Sequence, residues 1–383
     1  MYWQQRYLEE SREFPSASGL ETIDLPAKGL LGGLELKVYA KPGSTAHKPD
    51  VWIHDALQKV ELIVNGSKVV KSIEGNQLLA HMMYQHIPIY SHHVKNHIGV
   101  SGEEFFYINL GLKYHDLDYL LDLGQVNDPE LRITYNFGLT SANGWTHGQA
   151  FATTPKPAYS LIPHILREPT EIPKGYIKTS EIYRFTSGAG KKENMHIPRG
   201  PVYANLYLQS RYLAEGLCFN LDKVELNINS DDLIPYRVGL TELLAQNTRL
   251  YGQMEYHERV TVLGAQQYPF PLECGTVYPL IPMAVGLMVL MDDIWGNNDC
   301  FNFYTATGTP DTTNDSTPYV TYKGAFPFSV AAIPYFEPLK NWTWIDSSKL
   351  GDFWLRVEEV AGAGSNAVIK LLADEVVTSY PLS

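Results

Sequence analysis

Cysteine is scarce in this chain: three among 383 residues, Cys218, Cys274 and Cys300, far apart and in no paired motif. An odd, scattered set argues against a disulfide framework, so folding in a reducing cytoplasm is expected. Charge is sparse as well, with 19% Asp, Glu, Lys and Arg and a net charge of −12. Coating nucleic acid requires clustered Lys and Arg, so a direct grip on a genome is not expected. Long apolar runs are missing. The longest, Val277 to Met291, contains Pro279 and Pro282 and is too short to span a bilayer. The opening Met1-Tyr2-Trp3-Gln4-Gln5-Arg6 has no apolar segment of the kind a signal peptide needs. What the chain does have is 30 Gly, 24 Pro and 25 Tyr, a composition of short strands and turns.

It also contains the same pattern twice. Leu57, Lys59-Val60-Glu61-Leu62, Val64 and Asn65 reappear at an offset of 164 as Leu221, Lys223-Val224-Glu225-Leu226, Ile228 and Asn229. Leu78-Leu79-Ala80 returns as Leu243-Leu244-Ala245 at an offset of 165. Upstream, Leu25-Pro26, Leu34 and Leu36 match Ile197-Pro198, Leu206 and Leu208 at 172. Leu121-Asp122 and Leu131-Arg132-Ile133 match Ile345-Asp346 and Leu355-Arg356-Val357 at 224. The order never inverts, and the offset changes only between blocks, as loop insertions require. Units this long are whole domains rather than solenoid repeats.

Within the first copy, Leu34, Leu36 and Val38 alternate with Glu35 and Lys37, the period of a half-buried strand. Val60 to Val64 and Lys68 to Ser72 flank Asn65-Gly66, a hairpin signal because both turn positions need positive φ. Asn229-Ser230-Asp231-Asp232 replaces that turn in the second copy. A short helix is predicted after each hairpin, over Gly75 to Gln85 and Leu240 to Tyr251. Further strands are expected at Phe105 to Leu110, Tyr119 to Leu123, Leu131 to Phe137, Trp342 to Ile345 and Trp354 to Glu358. Pro155, Pro157, Pro163, Pro169 and Pro173 read as a linker, since proline lacks the ladder donor, and place the boundary near residue 170. The offset grows from 165 to 224 late in the second copy, an insertion of 59 residues. Its polar part, Gly296 to Lys323, reads as a large exposed loop.

Candidate chemistry fails on spacing. His81, His86, His92, His93 and His97 are concentrated as metal ligands are, but no His-Glu-x-x-His pattern or nearby cysteine joins them. Glu74, Glu103 and Glu104 stand at no ligand-like interval. A polar cluster at a helix end or interface is the simpler reading, with no metal site. Ser187-Gly188-Ala189-Gly190-Lys191-Lys192 lacks the first glycine and the hydroxyl of a phosphate loop, those places holding Phe185 and Lys192. Gly296-Asn297-Asn298-Asp299 and Asp311 to Asp315 have oxygen ligands for calcium but no spaced acidic ladder. Asp231-Asp232 and Asp292-Asp293 are adjacent acids in turns, not a pair across a cleft. No catalytic, cofactor-binding or metal residue is assigned, and no cofactor is expected.

Strands punctuated by turns, with one short helix per copy, read as a β-sandwich or jelly roll in each copy. On the repeated blocks, Lys59 to Asn65 with Lys223 to Asn229 and Leu121 to Ile133 with Ile345 to Val357, the chain resembles a double jelly-roll major capsid protein of the tectivirus–adenovirus lineage. The resemblance covers nearly the whole chain and rests on layout. It implies an all-β fold of two tandem eight-stranded jelly rolls, a double jelly roll with short helices and long loop insertions. Within that fold it implies an N-terminal arm over residues 1–20, a first roll over 21–169 and a second over 170–383 with its insertion near 253–340. It implies a homotrimer whose six rolls form a pseudo-hexagonal tile of an icosahedral virion shell, contacting other trimers and penton or minor capsid proteins. It also implies inserted loops rising outward, assembly in the host cytoplasm, and an arm, with Tyr2, Trp3, Arg6 and Tyr7, that reaches under a neighbour or touches an internal lipid membrane. The competing readings are a carbohydrate-binding or hydrolytic β-sandwich, whose aromatics would stack on sugar rings, and a viral spike or receptor-binding protein.

Overall fold

The computed structural model describes residues 1–41, 52–89, 94–95, 102–139, 141–142, 145–146, 151–211, 216–229, 233–260, 266–269, 272–280, 287–290, 300–305, 319–334, 344–361 and 367–378. In the first half the elements are β1 (Tyr2–Gln5), β2 (Glu9–Glu13), β3 (Ser18–Asp24), β4 (Leu30–Ala40), α1 (Ile53–Ala56), β5 (Leu57–Val64), β6 (Lys68–Ile73) and α2 (Gly75–Tyr84). Then come β7 (Val94–Lys95), β8 (Gly102–Asn109), β9 (Leu121–Asp122), β10 (Glu130–Asn136), β11 (Ser141–Ala142), β12 (Trp145–Thr146) and β13 (Ala158–Arg167). The second half continues with β14 (Tyr176–Thr186), β15 (Lys192–His196), β16 (Val202–Arg211), α3 (Leu217–Asn220), β17 (Leu221–Ile228), β18 (Leu233–Gly239), α4 (Leu240–Tyr251) and β19 (Met254–Val260). Its later strands are β20 (Gln266–Pro269), β21 (Leu272–Leu280), β22 (Leu287–Leu290), β23 (Cys300–Thr305), β24 (Tyr319–Pro327), β25 (Val330–Ala332), β26 (Ile345–Asp346), β27 (Phe353–Glu359) and β28 (Val368–Val377).

Two facing sheets make the first roll: β1 and β2 on β13, then β4, then β8, opposite β6–β5–β10–β3. The second repeats them as β14–β28–β16–β25 opposite β18–β17–β27–β15. Each is an eight-stranded jelly roll, counting β1 and β2 as one interrupted strand. The repeat read from sequence falls on equivalent strands. Leu131 pairs with Leu62 and Ile133 with Val60, as Leu355 pairs with Leu226 and Val357 with Val224. β5 and β17 share one burial pattern, residue for residue. Val60, Leu62 and Val64 are fully buried, and each contributes roughly 1.5–3 kcal/mol by leaving water. Both hairpin turns open on an Asn at positive φ, Asn65 at 53° and Asn229 at 54°. Each turn is tied to the connection that leads into the neighbouring strand, β10 or β27. Asn65 Oδ1 accepts from Asn127 N and Asn229 Oδ1 from Gly351 N, both at 2.6 Å. Asp122 and Asp346 cap the matching 3₁₀ turns.

Three expectations are corrected. Residues 2–13 of the expected N-terminal arm are part of the first roll, because β1 and β2 pair antiparallel with β13. Pro163 does sit in a central strand: β13 lies between β4 and the β1–β2 segment. Leu8 N donates to Leu161 O, so by the two-residue alternation Pro163 also turns its nitrogen toward β1–β2. The pairing there is interrupted, between Gln5 opposite His164 and Glu9 opposite Leu161. A missing donor costs little in that gap. The insertion is not wholly loop, since Cys300–Thr305 and the start of β24 are strands; residues 306–318 lie outside the described residues.

Candidate functional site: the junction between the rolls

The feature that organises the molecule is where the rolls meet. β14, the first strand of the second roll, pairs antiparallel with β28 and presents its other edge, parallel, to β6 of the first roll. Thr179 lies opposite Lys71 and Ser180 opposite Ser72. One nine-stranded sheet thereby runs through both rolls.

Behind that seam lies a buried charged network. Asp374 of β28 is fully buried and accepts from the Thr179 hydroxyl at 2.6 Å, Asn205 Nδ2 at 2.9 Å and the Tyr207 hydroxyl at 3.1 Å. His81 Nε2, on α2 of the first roll, lies 3.0 and 3.1 Å from its two oxygens. Lys71, buried on β6, donates to the Thr179 hydroxyl. Burial pushes the Lys71 ammonium down to about 8, more than the attraction of Asp374 pushes it up. Burial works to raise the Asp374 carboxyl, but the charge and hydrogen bond of His81, then Lys71 and Thr179, outweigh it and hold the group well below its usual range. These groups join β6 and α2 of the first roll to β14, β16 and β28 of the second.

Neutral polar groups extend the seam. Gln77 Nε2 of α2 donates to Gln209 Oε1 of β16 at 2.8 Å. The Tyr84 hydroxyl, at the end of α2, donates to Val330 O at 2.6 Å and lies 3.1 Å from Asn247 Oδ1 of α4. Its ring packs against Tyr207 at 5.3 Å and Tyr251 at 4.8 Å between centroids.

Of the histidines singled out from sequence, His81 belongs to this junction and His86 follows α2 at positive φ, 6.4 Å from the Tyr251 ring. His92, His93 and His97 lie outside the described residues, as do both calcium candidates. Among the described residues no three of His, Cys, Asp and Glu are placed to hold one metal ion. At the degenerate phosphate loop, the Gly188 amide donates to the Glu359 carboxylate, so an acid occupies the place of an anion. Cys218 is half-buried against the apolar core of the second roll. Sequence reasoning missed Lys71, Thr179, Asp374, Tyr84 and Asn247. Little signal existed, since Lys68 shares β6 with Lys71, and Lys370 and Glu375 share β28 with Asp374, so charge on the strand did not single out the buried pair.

No protein-family model matches the sequence, and no curated protein does. Solved structures do match. The major capsid protein of Sulfolobus turreted icosahedral virus is similar over 99% of this chain and 98% of its own, at TM-score 0.61 and 11% identity. The major capsid protein of bacteriophage PM2 is similar over 100% of both chains, at TM-score 0.51 and 12% identity. A chain of the PBCV-1 virus capsid is similar over 97% of this chain and 93% of its own, at TM-score 0.52 and 9% identity. At such identities the likeness establishes the fold: this chain is a double jelly roll of the kind found in these major capsid proteins.

Proposed function

We propose that this chain is a major capsid protein that assembles as pseudo-hexameric homotrimers into an icosahedral shell. The observation that carries the reading is two complete jelly rolls locked into one body by a continuous sheet, in full-length likeness to viral major capsid proteins. Three such chains present six similar rolls, the outline needed to tile a facet. The work is assembly rather than turnover: weak contacts between trimers are multiplied over a closed surface. The separation of the two main apolar cores, the first drawn mostly from residues 14–176 and the second from 195–373, supports a boundary near residue 170. Penton or minor capsid proteins at the vertices and assembly in the host cytoplasm belong to the same reading. An N-terminal arm laid on lipid does not, because residues 2–13 are built into the first roll. Size-exclusion chromatography with light scattering tests the proposal. A species of about 130 kDa, three times the 43.1 kDa chain, is expected; a chain that remains monomeric at every concentration sinks it.

A further inference from the structure

We propose that the contact between neighbouring copies repeats the contact between the two rolls of one chain, with Arg249 of one copy entering a cavity beside Glu35 of the next. The inference rests on the assembly reading above and specifies its interface.

Strand register supplies the correspondence between rolls. Glu35 and Lys37 of β4 face Tyr107 and Phe105 of β8. In the second roll Tyr207 and Gln209 of β16 face Ala332 and Val330 of β25. Leu34 and Leu36 pair with Pro163 and Leu161, as Leu206 and Leu208 pair with Ala373 and Leu371. Glu35 is therefore the counterpart of Tyr207, Tyr107 of Ala332 and Phe105 of Val330. The helices begin at Gly75 and Leu240, so Met82 answers to Asn247 and Tyr84 to Arg249.

Within the chain, Tyr84 of the first roll plugs a site in the second made by Tyr207, Asn247, Val330 and Ala332. The counterparts of all four in the first roll, Glu35, Met82, Phe105 and Tyr107, line one open cavity of about 260 Å³. That cavity is the first roll's version of the Tyr84 site without its plug. The residue that corresponds to Tyr84 is Arg249, exposed in the last turn of α4. Its guanidinium matches what the cavity offers, a half-exposed carboxylate from Glu35 and the rings of Tyr107 and Tyr114, while Phe105 already has Lys37 Nζ 4.9 Å from its ring centroid.

The strand edges give an independent match. β14 occupies the outer edge of β6. β18 corresponds to β6, and β1–β2, which pairs with β13 as β14 pairs with β28, corresponds to β14. Neither of these outer edges has a partner strand among the described residues. Both carry exposed apolar side chains, Leu233 and Ile234 on β18, Tyr2 on β1 and Tyr7 between β1 and β2. The same superposition that sets β14 on β6 sets β1–β2 of one copy on β18 of another. Such a head-to-tail contact forms a ring when its rotation closes, and three copies of two rolls close it.

The test uses the full chain. Arg249→Glu, at an exposed helix position, is expected to reduce the mass measured by light scattering from about 130 to about 43 kDa while the near-ultraviolet dichroism stays that of wild type. Glu35→Arg is expected to do the same, and the double charge swap to restore the trimer. Since Glu35 also pairs with His164 at 3.4 Å, a second measurement avoids dependence on that fold-sensitive variant. A chain with Arg249→Cys and Glu35→Cys is treated with a short bis-maleimide beside each single-cysteine control, because an Arg–carboxylate contact sets the two Cα atoms farther apart than the roughly 7 Å a disulfide bridges. Covalent species that stop at three chains, absent from the controls, are expected. A trimeric wild type whose R249E variant is equally trimeric and whose cysteine pair does not cross-link overturns this interface and leaves the assembly reading standing. A wild type that never trimerises removes the assembly reading, and this inference with it.

Discussion

Replacing Asp374 by Asn is expected to cost about 3–5 kcal/mol, the usual penalty for breaking a buried charge network by removing one partner. The magnitude follows from who is left behind. Oδ1 accepts from Thr179 and His81, and Oδ2 from Asn205, Tyr207 and His81. Whichever way the amide is turned, its NH₂ meets at least one donor. The fully buried Lys71 also loses its counter-charge. Lys71→Met alone is expected to stay within about 1 kcal/mol of wild type, because deleting the ammonium removes its desolvation cost along with its attraction to Asp374. The double variant should then recover about 1–3 kcal/mol of the Asp374→Asn loss as coupling between neighbours. Urea unfolding at one fixed protein concentration, followed by far-ultraviolet dichroism, measures all three, since oligomerisation makes the midpoint concentration-dependent. Acidification adds a signed test. The Asp374 carboxyl is depressed from its ordinary 3.8, so its stabilisation is fully present above about pH 4 and is lost as pH falls toward the lower folded value. The gap between wild type and Asp374→Asn must therefore narrow below pH 4. An Asp374→Asn midpoint indistinguishable from wild type, or a double variant worse than the sum of the singles, would refute the idea that this network joins the rolls.

At the alkaline end the sign differs. With Lys71 at about 8 in the fold against 10.5 when exposed, the unfolded chain holds the extra proton between those values, so wild type should gain stability over Lys71→Met as pH rises from 8 to about 10.5; parallel melts across that range show it. Asn65→Ala and Asn229→Ala should each cost about 1–2 kcal/mol, losing both an easy positive φ and a hydrogen bond from a backbone amide, and the two losses should be similar because both side chains hold the same φ and the same kind of bond; denaturant midpoints decide. Tyr84→Phe is expected to cost about 1–2 kcal/mol through the bonds to Val330 and Ala332, whereas Tyr84→Ala should also loosen the seam, seen as faster proteolysis between the rolls. Assembled particles are expected to be cleaved first within Gly296 to Lys323, and full protection there with cleavage elsewhere would place that segment at an interface.

Much of the architecture was legible in the chain itself. Alternation and turn chemistry marked the β5–β6 hairpin, and apolar spacing with a closing Gly252 marked α4 from Leu240 to Tyr251. The ordered offsets named the equivalent strands of both rolls before any geometry was known. These are local signals: burial on one face of a strand or helix imposes a period, and a turn imposes its φ angles, wherever the element ends up. The roles of Pro163 and of residues 2–13 were not legible, because a proline's cost depends on whether the neighbouring strand is continuous opposite its nitrogen. Nor was the junction. Lys71 and Asp374 stand on strands at opposite ends of the sequence, and only the parallel seating of β14 on β6 brings a cation, a carboxylate and His81 into one dry space. Sequence periodicity records which face of an element is buried but not which distant surface buries it. The sequence therefore determined two rolls and their internal pairing, while the tertiary structure decided how one roll grips the other, and with it the surfaces left open for the next copy.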